Sequence, residues 1–281
     1  MPSPRVLLDS LRFPEGPRWH DDALWFSDMH DGRVVRLAAD GRAETVVALD
    51  GDEPSGFGWL PDGRLLVVAM HARSLLRRER DGRLVPHAPL GALAHFHAND
   101  MVVDAAGRAY VGNFGFDLNA GAEPRATNLA LVHPDGRVEV ASTDMMFPNG
   151  TVITPDGKTL IVAETMAARL TAFDVGPDGR LSNRRVWAQL ERAVPDGICL
   201  DAEGAVWVAS PISKGVLRVR EGGEVTNRIE VEHQAYACML GGPDRRTLHL
   251  CTAETHDPSK TGTRRGRIEA VEVEVPGAGL P

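Results

Sequence analysis

The stretch PDGICLDAEGAVWVA, residues 195–209, contains a tight turn, an apolar run, a second turn and another apolar run. Proline stiffens the entry to the first run, and glycine lets the backbone turn closely beside its neighbours. Related segments recur along the chain: PEGPRW from Pro14, PSGFGW from Pro54, ANDMVV from Ala98, PNGTVI from Pro148, PDGICL from Pro195 and YACMLG from Tyr236. Their starts lie 40, 44, 50, 47 and 41 residues apart. The chain is therefore built from six similar units.

Each unit reads as four short strands separated by turns, and sustained helical periodicity is nearly absent. An Asp-Gly pair between apolar runs is the strongest local signal for a hairpin. Such pairs occur at Asp31-Gly32, Asp40-Gly41, Asp62-Gly63, Asp81-Gly82, Asp135-Gly136, Asp156-Gly157 and Asp178-Gly179. A repeat of this length and content is typical of a propeller blade. We therefore predict an all-β fold, a six-bladed β-propeller of four-stranded blades.

The two ends of the chain complete this architecture. The last unit lacks an outer strand, whereas the strand-like RVLLD at residues 5–9 precedes the first unit. Pairing these ends would finish the sixth blade and hide two open sheet edges. We predict one domain over residues 1–281, closed by residues 5–9. Its blades are predicted to start near residues 14, 54, 98, 148, 195 and 236.

The composition argues against several classes of protein. With 43% hydrophobic and 25% charged residues, the 281-residue chain should be globular. Its 31 Lys and Arg against 39 Asp and Glu give a net charge of -8, which disfavours binding to a phosphate backbone. No apolar run is long enough to span a bilayer, and the N-terminal residues lack a secretory pattern. We expect neither a nucleic-acid nor a membrane partner.

The three cysteines, Cys199, Cys238 and Cys251, each lie in an apolar run without CxxC spacing. This usage is typical of small buried side chains in a reducing compartment, so we expect a cytoplasmic location. The sequence also lacks a GxSxG elbow and an HExxH motif, which argues against a serine hydrolase and a zinc peptidase. Nothing marks a large interface, and we expect a monomer or a weak dimer.

The innermost strand of every propeller blade begins beside the central channel at the same end. The second residues of the six segments should therefore form one ring, namely Glu15, Ser55, Asn99, Asn149, Asp196 and Ala237. Two are carboxylates and two are amides, and a buried carboxylate needs a compensating partner. No Lys or Arg stands on this ring, which predicts a hard divalent cation. One Pro-x-Gly motif by itself is typical of a simple turn, but four polar residues in register favour a site.

The sequence resembles the gluconolactonase family, which includes regucalcin (senescence marker protein) and the luciferin-regenerating enzymes. The resemblance covers essentially the full chain and becomes specific through the order of its motifs. These motifs are FPEGPRW near the N-terminus, AND at Ala98, FPNG at Phe147, SNRRVW at Ser182 and PDGICLDAEGAVWVA at Pro195.

The resemblance implies a propeller that holds one divalent metal in its channel and hydrolyses a cyclic ester. Carried over residue by residue, Glu15, Asn149 and Asp196 are the metal ligands, and Asn99 lies beside metal and substrate. Asp196 is also the candidate for managing the proton of the attacking water. We expect Ca²⁺ as the metal, with Mg²⁺, Mn²⁺, Zn²⁺ and Fe²⁺ as alternatives, and a small-molecule lactone or ester as the substrate.

His97 is a second catalytic candidate. A carboxylate held by a dication is a weak base, and an imidazole two residues before Asn99 titrates near neutrality at the pocket rim. The alternative is a rim residue that binds substrate and shapes specificity. Regucalcin-like enzymes for sugar lactones carry an Arg at this position, and a histidine cannot supply its bidentate fork.

The residues around the mouth predict a moderately apolar pocket. They are Met29, Met70, Phe114, Phe116, Met146, Phe147 and Met166, unless these side chains turn into the blade packing. Residues 114–128 have the least strand character and should overhang the mouth. Asn113, Asp117 and Glu164 are further predicted substrate contacts, with Glu164 alternatively orienting a ligand or water.

Three functions remain open from the sequence. The first is a metal-dependent carboxylic-ester hydrolase that opens an aldonolactone or a more apolar lactone. The second is an aryl esterase or phosphotriesterase on the same metal site. The third is a calcium-binding regulatory propeller without catalysis, which would have no need to gather Glu15, Asn99, Asn149 and Asp196 around one axis.

Overall fold

Short antiparallel strands joined by tight turns make up the regular structure of this computed structural model, which describes residues 3–281. The described residues form six four-stranded sheets arranged as blades. Their helical elements are single-turn 3₁₀ helices at Met29–Asp31, Thr165–Ala167 and Thr261–Thr263. The predicted all-β, six-bladed propeller is confirmed.

The strands are numbered in chain order, beginning with β1 (Arg5–Leu11), and are grouped here by blade. The first blade has β2 (Pro14–His20), β3 (Ala23–Asp28), β4 (Arg33–Ala38) and β5 (Ala43–Ala48), and the second has β6 (Pro54–Trp59), β7 (Leu65–Ala69), β8 (Ser74–Arg78) and β9 (Leu84–Pro89). The third has β10 (Ala98–Val103), β11 (Ala109–Asn113), β12 (Thr127–Val132) and β13 (Val138–Met145), and the fourth has β14 (Pro148–Ile153), β15 (Thr159–Glu164), β16 (Arg169–Val175) and β17 (Leu181–Gln189). The fifth has β18 (Ile198–Leu200), β19 (Val206–Ser210), β20 (Gly215–Val219) and β21 (Val225–Glu230), and the sixth has β22 (Gln234–Gly241), β23 (Thr247–Ala253), β24 (Gly266–Glu272) and β1.

A closed ring of innermost strands surrounds the channel. The first strand of each blade contacts the first strands of both neighbouring blades, in the order β2, β6, β10, β14, β18 and β22. The sixth blade joins the two ends of the chain, because β1 pairs antiparallel with β24 from Arg5 opposite Ala270 to Leu11 opposite Gly266. The N-terminal closure predicted for residues 5–9 is thus present and extends to Leu11.

The innermost strands are irregular near their starts, where the pairing register with the second strand shifts. The shifts lie between Glu15 and Arg18, Pro54 and Phe57, Ala98 and Met101, Pro148 and Thr151, and Ala235 and Ala237. In the fifth blade β18 begins only at Ile198, and residues 195–197 precede it as an irregular segment. The Asp196 N–H of that segment donates to the carbonyl of Ala209 at 3.0 Å. Irregularities of this kind redirect a side chain out of the normal alternation of a strand.

Glycine lets the innermost strands approach each other closely. A Cβ placed on Gly150 would lie 2.5 Å from the carbonyl oxygen of Asp196, and one on Gly197 would lie 2.4 Å from the Cβ of Ala237. No side chain fits at such distances, so these two glycines allow the fourth, fifth and sixth blades to meet beside the channel.

The hydrophobic core lies largely between neighbouring blades, where several tryptophans pack. Trp207 of the fifth blade is buried in a cluster with residues of the sixth and first blades. Trp25 and Trp59 meet edge to face across the first and second blades, with ring centroids 5.3 Å apart. The three cysteines are buried and free, as the sequence predicts.

The C-terminal segment, residues 276–281, runs along the end of the channel opposite the irregular segments. The Ala278 N–H donates to the carbonyl of Leu200, and Leu280 exchanges two backbone hydrogen bonds with Ile153. Leu200 and Ile153 are the last residues of β18 and β14, so this segment ties the sixth blade to the fifth and fourth. Residues 3–281 include no helix with the length and apolar character needed to cross a membrane.

Candidate functional site

The starts of the innermost strands share one end of the channel with the loops that join the second and third strands of the blades. Backbone hydrogen bonds link the two sets: Met29 N–H to Phe13 carbonyl, Phe114 N–H to His97 carbonyl and Thr165 N–H to Phe147 carbonyl, at 2.9 to 3.1 Å. This end is called the mouth below. The polar ring predicted from the sequence therefore lies at the base of the mouth.

Asn149 and Asp196 touch each other across the fourth and fifth blades. The Nδ2 of Asn149 donates to Oδ1 of Asp196 at 2.5 Å and to Oγ1 of Thr165 at 3.2 Å. The Thr165 hydroxyl in turn donates to the carbonyl of Pro195 at 2.8 Å. Because Nδ2 makes both contacts, the Oδ1 of Asn149 is the amide atom suited to bind a cation. The two residues are thus fixed in orientation as well as in place.

Glu15 and Asp196 are carboxylates that burial keeps from ionising easily. Burial, and then the negative charge of Asp196, raise the pKa of Glu15 well above its ordinary value. Burial raises the pKa of Asp196 to about 8. The backbone N–H of Gly16, which donates to Oε2 of Glu15 at 2.6 Å, offsets only part of this effect. Without a cation Asp196 therefore holds a proton at neutral pH, and Glu15 ionises less readily than an exposed glutamate.

Asn99 completes the predicted set from the third blade. It is 7% exposed, and its Oδ1 accepts a hydrogen bond from the Ser55 hydroxyl at 3.3 Å. Its Nδ2 is buried without a hydrogen-bond partner among the described residues. An orphaned buried donor is costly, so Asn99 is suited to a group that enters the channel.

The chemistry of these donors fits a hard divalent cation. The cluster offers two carboxylates that resist ionisation and the amide oxygen of Asn149. Oxygen donors of this type suit Ca²⁺, Mg²⁺ or Mn²⁺. Residues 3–281 contain no grouping of three or more His, Cys, Asp and Glu side chains suited to a metal. The cluster instead draws on asparagine for part of its donor set.

Tyr236 is the ring residue that the sequence analysis missed. The Cβ of Ala237 lies against Gly197, which is the position that follows the polar residue in the other blades. The sixth ring position therefore belongs to Tyr236, and the assignment to Ala237 is wrong by one residue. Burial, and then Asp196 and Glu15, raise the pKa of the Tyr236 phenol, so it keeps its proton and donates to Oε1 of Gln234 at 2.7 Å.

The last residue of the second strand holds the backbone just before each predicted metal ligand. In the first blade, Oδ1 of Asp28 accepts from the N–H groups of Arg12 and Phe13, ahead of Glu15. In the other two blades the pairs are Glu164 Oε2 with the Met146 N–H, ahead of Asn149, and Ser210 Oγ with the Val194 N–H, ahead of Asp196. These polar side chains are fully buried. The same type of hydrogen bond thus positions the backbone ahead of all three predicted ligands.

Glu164 is therefore not positioned to contact a substrate. Its carboxylate also accepts from Arg169 Nε at 2.9 Å, from the Thr171 hydroxyl at 2.5 Å and from Arg184 Nη2 at 3.3 Å. These three contacts are all to Oε1, and the Met146 N–H bonds Oε2, so both carboxylate oxygens are occupied. Its location agrees with the alternative in which it orients a ligand.

The structure does not bring Asn113 to the channel either. Its amide is buried between the second and third strands of the third blade, where it donates to the Asn128 carbonyl and accepts from the Thr127 hydroxyl, both at 2.7 Å. Asp117 lies in the loop of residues 114–126 and stands close enough to act on the charge of His97. Of these two predicted contacts, only Asp117 belongs to the mouth.

His97 lies half-buried at the mouth in a stack of rings. Its imidazole centroid is 4.4 Å from that of His71, 4.0 Å from the ring of Phe96 and 6.0 Å from the ring of Phe114. Burial, and then the neighbouring His71, lower the pKa of His97. The ring is therefore neutral at physiological pH and can accept a proton or a hydrogen bond.

The apolar residues predicted for the mouth divide into two groups. Met29, Met70, Phe116 and Phe147 are buried in the packing below the mouth, whereas Phe114, Met146 and Met166 are partly exposed. The Phe114 ring bridges the two, because it contacts Phe147 at 4.5 Å and packs against the cluster of Met29 and Met70. The mouth is thus lined by aromatic, sulfur-containing and histidine side chains.

Comparisons with known proteins identify a family and several similar propellers. The family described as SMP-30/Gluconolactonase/LRE-like region matches residues 13–254. The chain is 28% identical to 6-deoxy-6-sulfogluconolactonase of Pseudomonas putida, over 95% of this chain and 93% of that protein. It is 32% identical to regucalcin of Xenopus laevis, over 88% and 85% of the two chains. A calcium-binding protein, regucalcin, from Agrobacterium tumefaciens has a similar structure, with a TM-score of 0.83, 26% identity and coverage of 99% and 96%.

Proposed function

Because this chain belongs to the SMP-30/gluconolactonase/LRE-like family, we propose that it is a metal-dependent hydrolase that opens a lactone ring. The observation that carries the proposal is the buried donor cluster of Glu15, Asn149 and Asp196, whose two carboxylates need a counter-charge. The relative from Pseudomonas putida is a lactonase by name, which favours the same class of substrate here.

Glu15, Asn149 and Asp196 would hold the cation, and Ca²⁺ is the first choice. A divalent cation bound there would supply a Lewis acid for the lactone carbonyl and would lower the pKa of a bound water. The role of the chain is to present the two carboxylates and the Oδ1 of Asn149 in fixed orientation and to keep bulk water away from them.

Asn99 and Asp196 supply the remaining groups for hydrolysis. The unpaired Nδ2 of Asn99 donates a hydrogen bond to a substrate oxygen, which satisfies its orphaned proton. As water attacks the carbonyl carbon, Asp196 accepts the water proton. The ring C–O bond then breaks, and the same proton passes to the departing alkoxide, which leaves a hydroxy acid.

His97 is the alternative proton acceptor and the residue expected to set specificity. It is neutral, and its ring is exposed to the mouth beside Phe96 and Phe114. A neutral ring with aromatic neighbours favours a less polar substrate than the array of hydroxyls of an aldonolactone. We therefore place moderately apolar γ-lactones among the substrates, besides or in place of aldonolactones.

A substrate panel tests this proposal. Purified protein is stripped with a chelator, reloaded with Ca²⁺, and assayed on gluconolactone, xylonolactone, alkyl γ-lactones and aryl esters. We expect ring opening that needs the added cation, with the alkyl γ-lactones among the substrates. Activity confined to aldonolactones would refute the apolar pocket, and activity confined to aryl esters would favour the esterase alternative.

Two substitutions identify the proton acceptor. Replacing Asp196 with Asn should lower kcat by roughly 100-fold or more, the usual effect of losing a general base. Replacing His97 with Gln should change KM among substrates and lower kcat by less than about tenfold. The opposite ranking would assign the base to His97. Because Asp196 is also a predicted ligand, Ca²⁺ binding by the Asn variant is measured alongside.

A calcium-binding role without catalysis is the second candidate, and the description of the Agrobacterium tumefaciens protein favours it. Tight Ca²⁺ binding by the wild-type chain without hydrolysis of any member of the panel would support this candidate over the lactonase.

A further inference from the structure

A buried arginine lies beside the donor cluster, and neither the ring positions nor the proposed mechanism account for it. Arg18, on the innermost strand of the first blade, is 3% exposed. Its Nη2 donates to Oδ1 of Asp100 at 2.5 Å, and Asp100 is itself 6% exposed. A buried guanidinium is expensive unless a carboxylate compensates it, so the two residues form one electrostatic unit.

The guanidinium links three innermost strands. Its Nε donates to the carbonyl of Phe57 on β6 at 3.1 Å, and Nη2 also donates to the carbonyl of Met101 on β10 at 2.6 Å. It leaves its own strand β2 beside Pro17, whose carbonyl accepts from Nη1 at 2.9 Å. To reach β10 from β2 the side chain passes across the channel edge of β6. Arg18 therefore lies inside the ring of strands, beneath the predicted metal ligands.

Asp100 occupies the position that glycine fills in most of the other blades. The equivalent residues are Gly16, Gly56, Gly150, Gly197 and Ala237. A carboxylate there adds a third negative charge beside Glu15 and Asp196, and its field raises the pKa of both. Arg18 acts on Glu15 in the opposite direction. Both members of the pair are thus within electrostatic range of the donor cluster.

We propose that the Arg18–Asp100 pair sets the charge of the channel so that one divalent cation neutralises the donor cluster. Arg18 cancels Asp100, which leaves Glu15 and Asp196 to balance the two positive charges of a single ion. Arg18 and Asp100 are positioning residues in this scheme and touch neither metal nor substrate. The inference rests on the proposed metal site, and it assigns a function to two residues outside the ligand set.

The proposed charge balance predicts the direction in which each variant changes the Kd for Ca²⁺. Asp100→Asn leaves the guanidinium unopposed beneath the site, and the Kd for Ca²⁺ should rise by about tenfold or more, the effect of roughly one pKa unit of charge interaction. The double variant Arg18→Met, Asp100→Asn removes both charges and should return the Kd to within about threefold of wild type. Arg18→Lys keeps the charge but loses the fork, so its Kd should stay near wild type while its thermal stability falls.

Isothermal titration of the stripped proteins with CaCl₂ measures these constants without any assay of activity. Asp104→Asn is the matched control, because Asp104 forms another largely buried pair, with Arg108 at 2.6 Å, at the far end of β10. Its Kd should equal that of wild type. Thermal unfolding and near-UV circular dichroism of every variant establish that it is folded before titration.

The outcomes separate the two proposals. Wild-type protein that binds neither Ca²⁺, Mg²⁺ nor Mn²⁺ would overturn the metal-dependent function itself. Wild-type binding with a double variant as weak as Asp100→Asn would show that Asp100 is itself a ligand, and would overturn the charge-setting role. Unchanged binding by Asp100→Asn would overturn it as well. Recovery in the double variant and retention in Arg18→Lys together would support it.

Discussion

Asp196 shows how much of the site chemistry follows from burial. A carboxylate in water ionises near pH 4, but burial raises the pKa of Asp196 to about 8. Glu15 is raised in the same direction by the same cause. Protons and the cation therefore compete for these carboxylates, and cation binding must release protons.

This competition predicts a pH dependence of Ca²⁺ binding. Below pH 8 Asp196 holds a proton that the ion must displace, so affinity should increase as pH rises from 6 to 8 and level off above 8. Titrations in two buffers with different ionisation enthalpies would measure both the affinity and the released protons. An affinity that is independent of pH across this range would contradict the raised pKa.

The raised pKa of Asp196 also determines the direction in which the stability of the stripped protein changes with pH. The folded state binds a proton more tightly than the unfolded chain, so the unfolding free energy should fall as pH rises from about 4 to about 8. It should become flat above that range. The increase in Tm produced by Ca²⁺ should then be larger at pH 8 than at pH 6, because the metal-free reference is weaker there.

Several site residues could be predicted from the sequence because they share a local frame. Glu15, Asn149 and Asp196 follow a proline and precede a glycine, and Asn99 occupies the equivalent position. Tyr236 could not be placed in the same way, because its segment QAYACM has neither the proline nor the glycine that marks the ring position at Glu15, Asn149 and Asp196. The pairing of Arg18 with Asp100 joins residues 82 positions apart, and no local pattern indicates it.

At the scale of the strands, the site depends on where each second strand ends. Asp28, Glu164 and Ser210 each close such a strand and hold the backbone ahead of a predicted ligand. In the fourth blade this backbone is strained, because Phe147 has a φ of +60°, a left-handed value that is uncommon for an aromatic residue. The hydrogen bonds on either side of Phe147 are what maintain that conformation.

Replacement of Glu164 with Gln tests this device. The amide cannot accept from Met146 and compensate Arg169 and Arg184 together, so stability should fall by about 2 kcal/mol, the value of a hydrogen bond to a charged group. Ca²⁺ binding should weaken several-fold as the segment before Asn149 loosens.

Glu139→Gln is the matched control, because Glu139 contacts His133 and two arginines on an exposed edge of the third blade. Thermal unfolding and Ca²⁺ titration of both variants would provide the comparison. Equal losses in the two variants would mean that Glu164 acts only as one more ion pair.

The sequence could not assign these strand ends. The run TLIVAE at residues 159–164 is recognisable as a strand. The sequence does not say whether the side chain of Glu164 points to the channel or into the blade. The same ambiguity led Asn113 to be predicted as a substrate contact. Alternation along one strand defines two faces without saying which of them meets the mouth.

At the scale of the molecule, the first residues close the ring of blades. Strand β1 covers an edge of the sixth blade and buries Leu11 in the adjacent core. The propeller could be predicted because its turns and strands are local and repeat six times. The path of residues 276–281 could not, because that segment bonds to blades far from it in sequence.

Deletion of residues 1–11 should therefore lower the stability without abolishing the blades. Losing seven strand residues and one buried leucine should cost about 3 kcal/mol, and Tm should fall by roughly 6 to 12 °C. Deletion of residues 1–4, which leaves β1 intact, should have little effect. Differential scanning calorimetry compares the two, and a peptide of residues 3–12 added to the shorter protein should restore part of the loss. An unchanged Tm for the larger deletion would show that closure contributes little.

Arg18 lies across the channel edge of β6 beneath the donor cluster, and residues 276–281 bond to strand ends on the side opposite the mouth. We therefore expect substrate to enter, and product to leave, at the mouth that carries His97 and Phe114. A product that leaves through the mouth would then compete directly with the substrate that enters there.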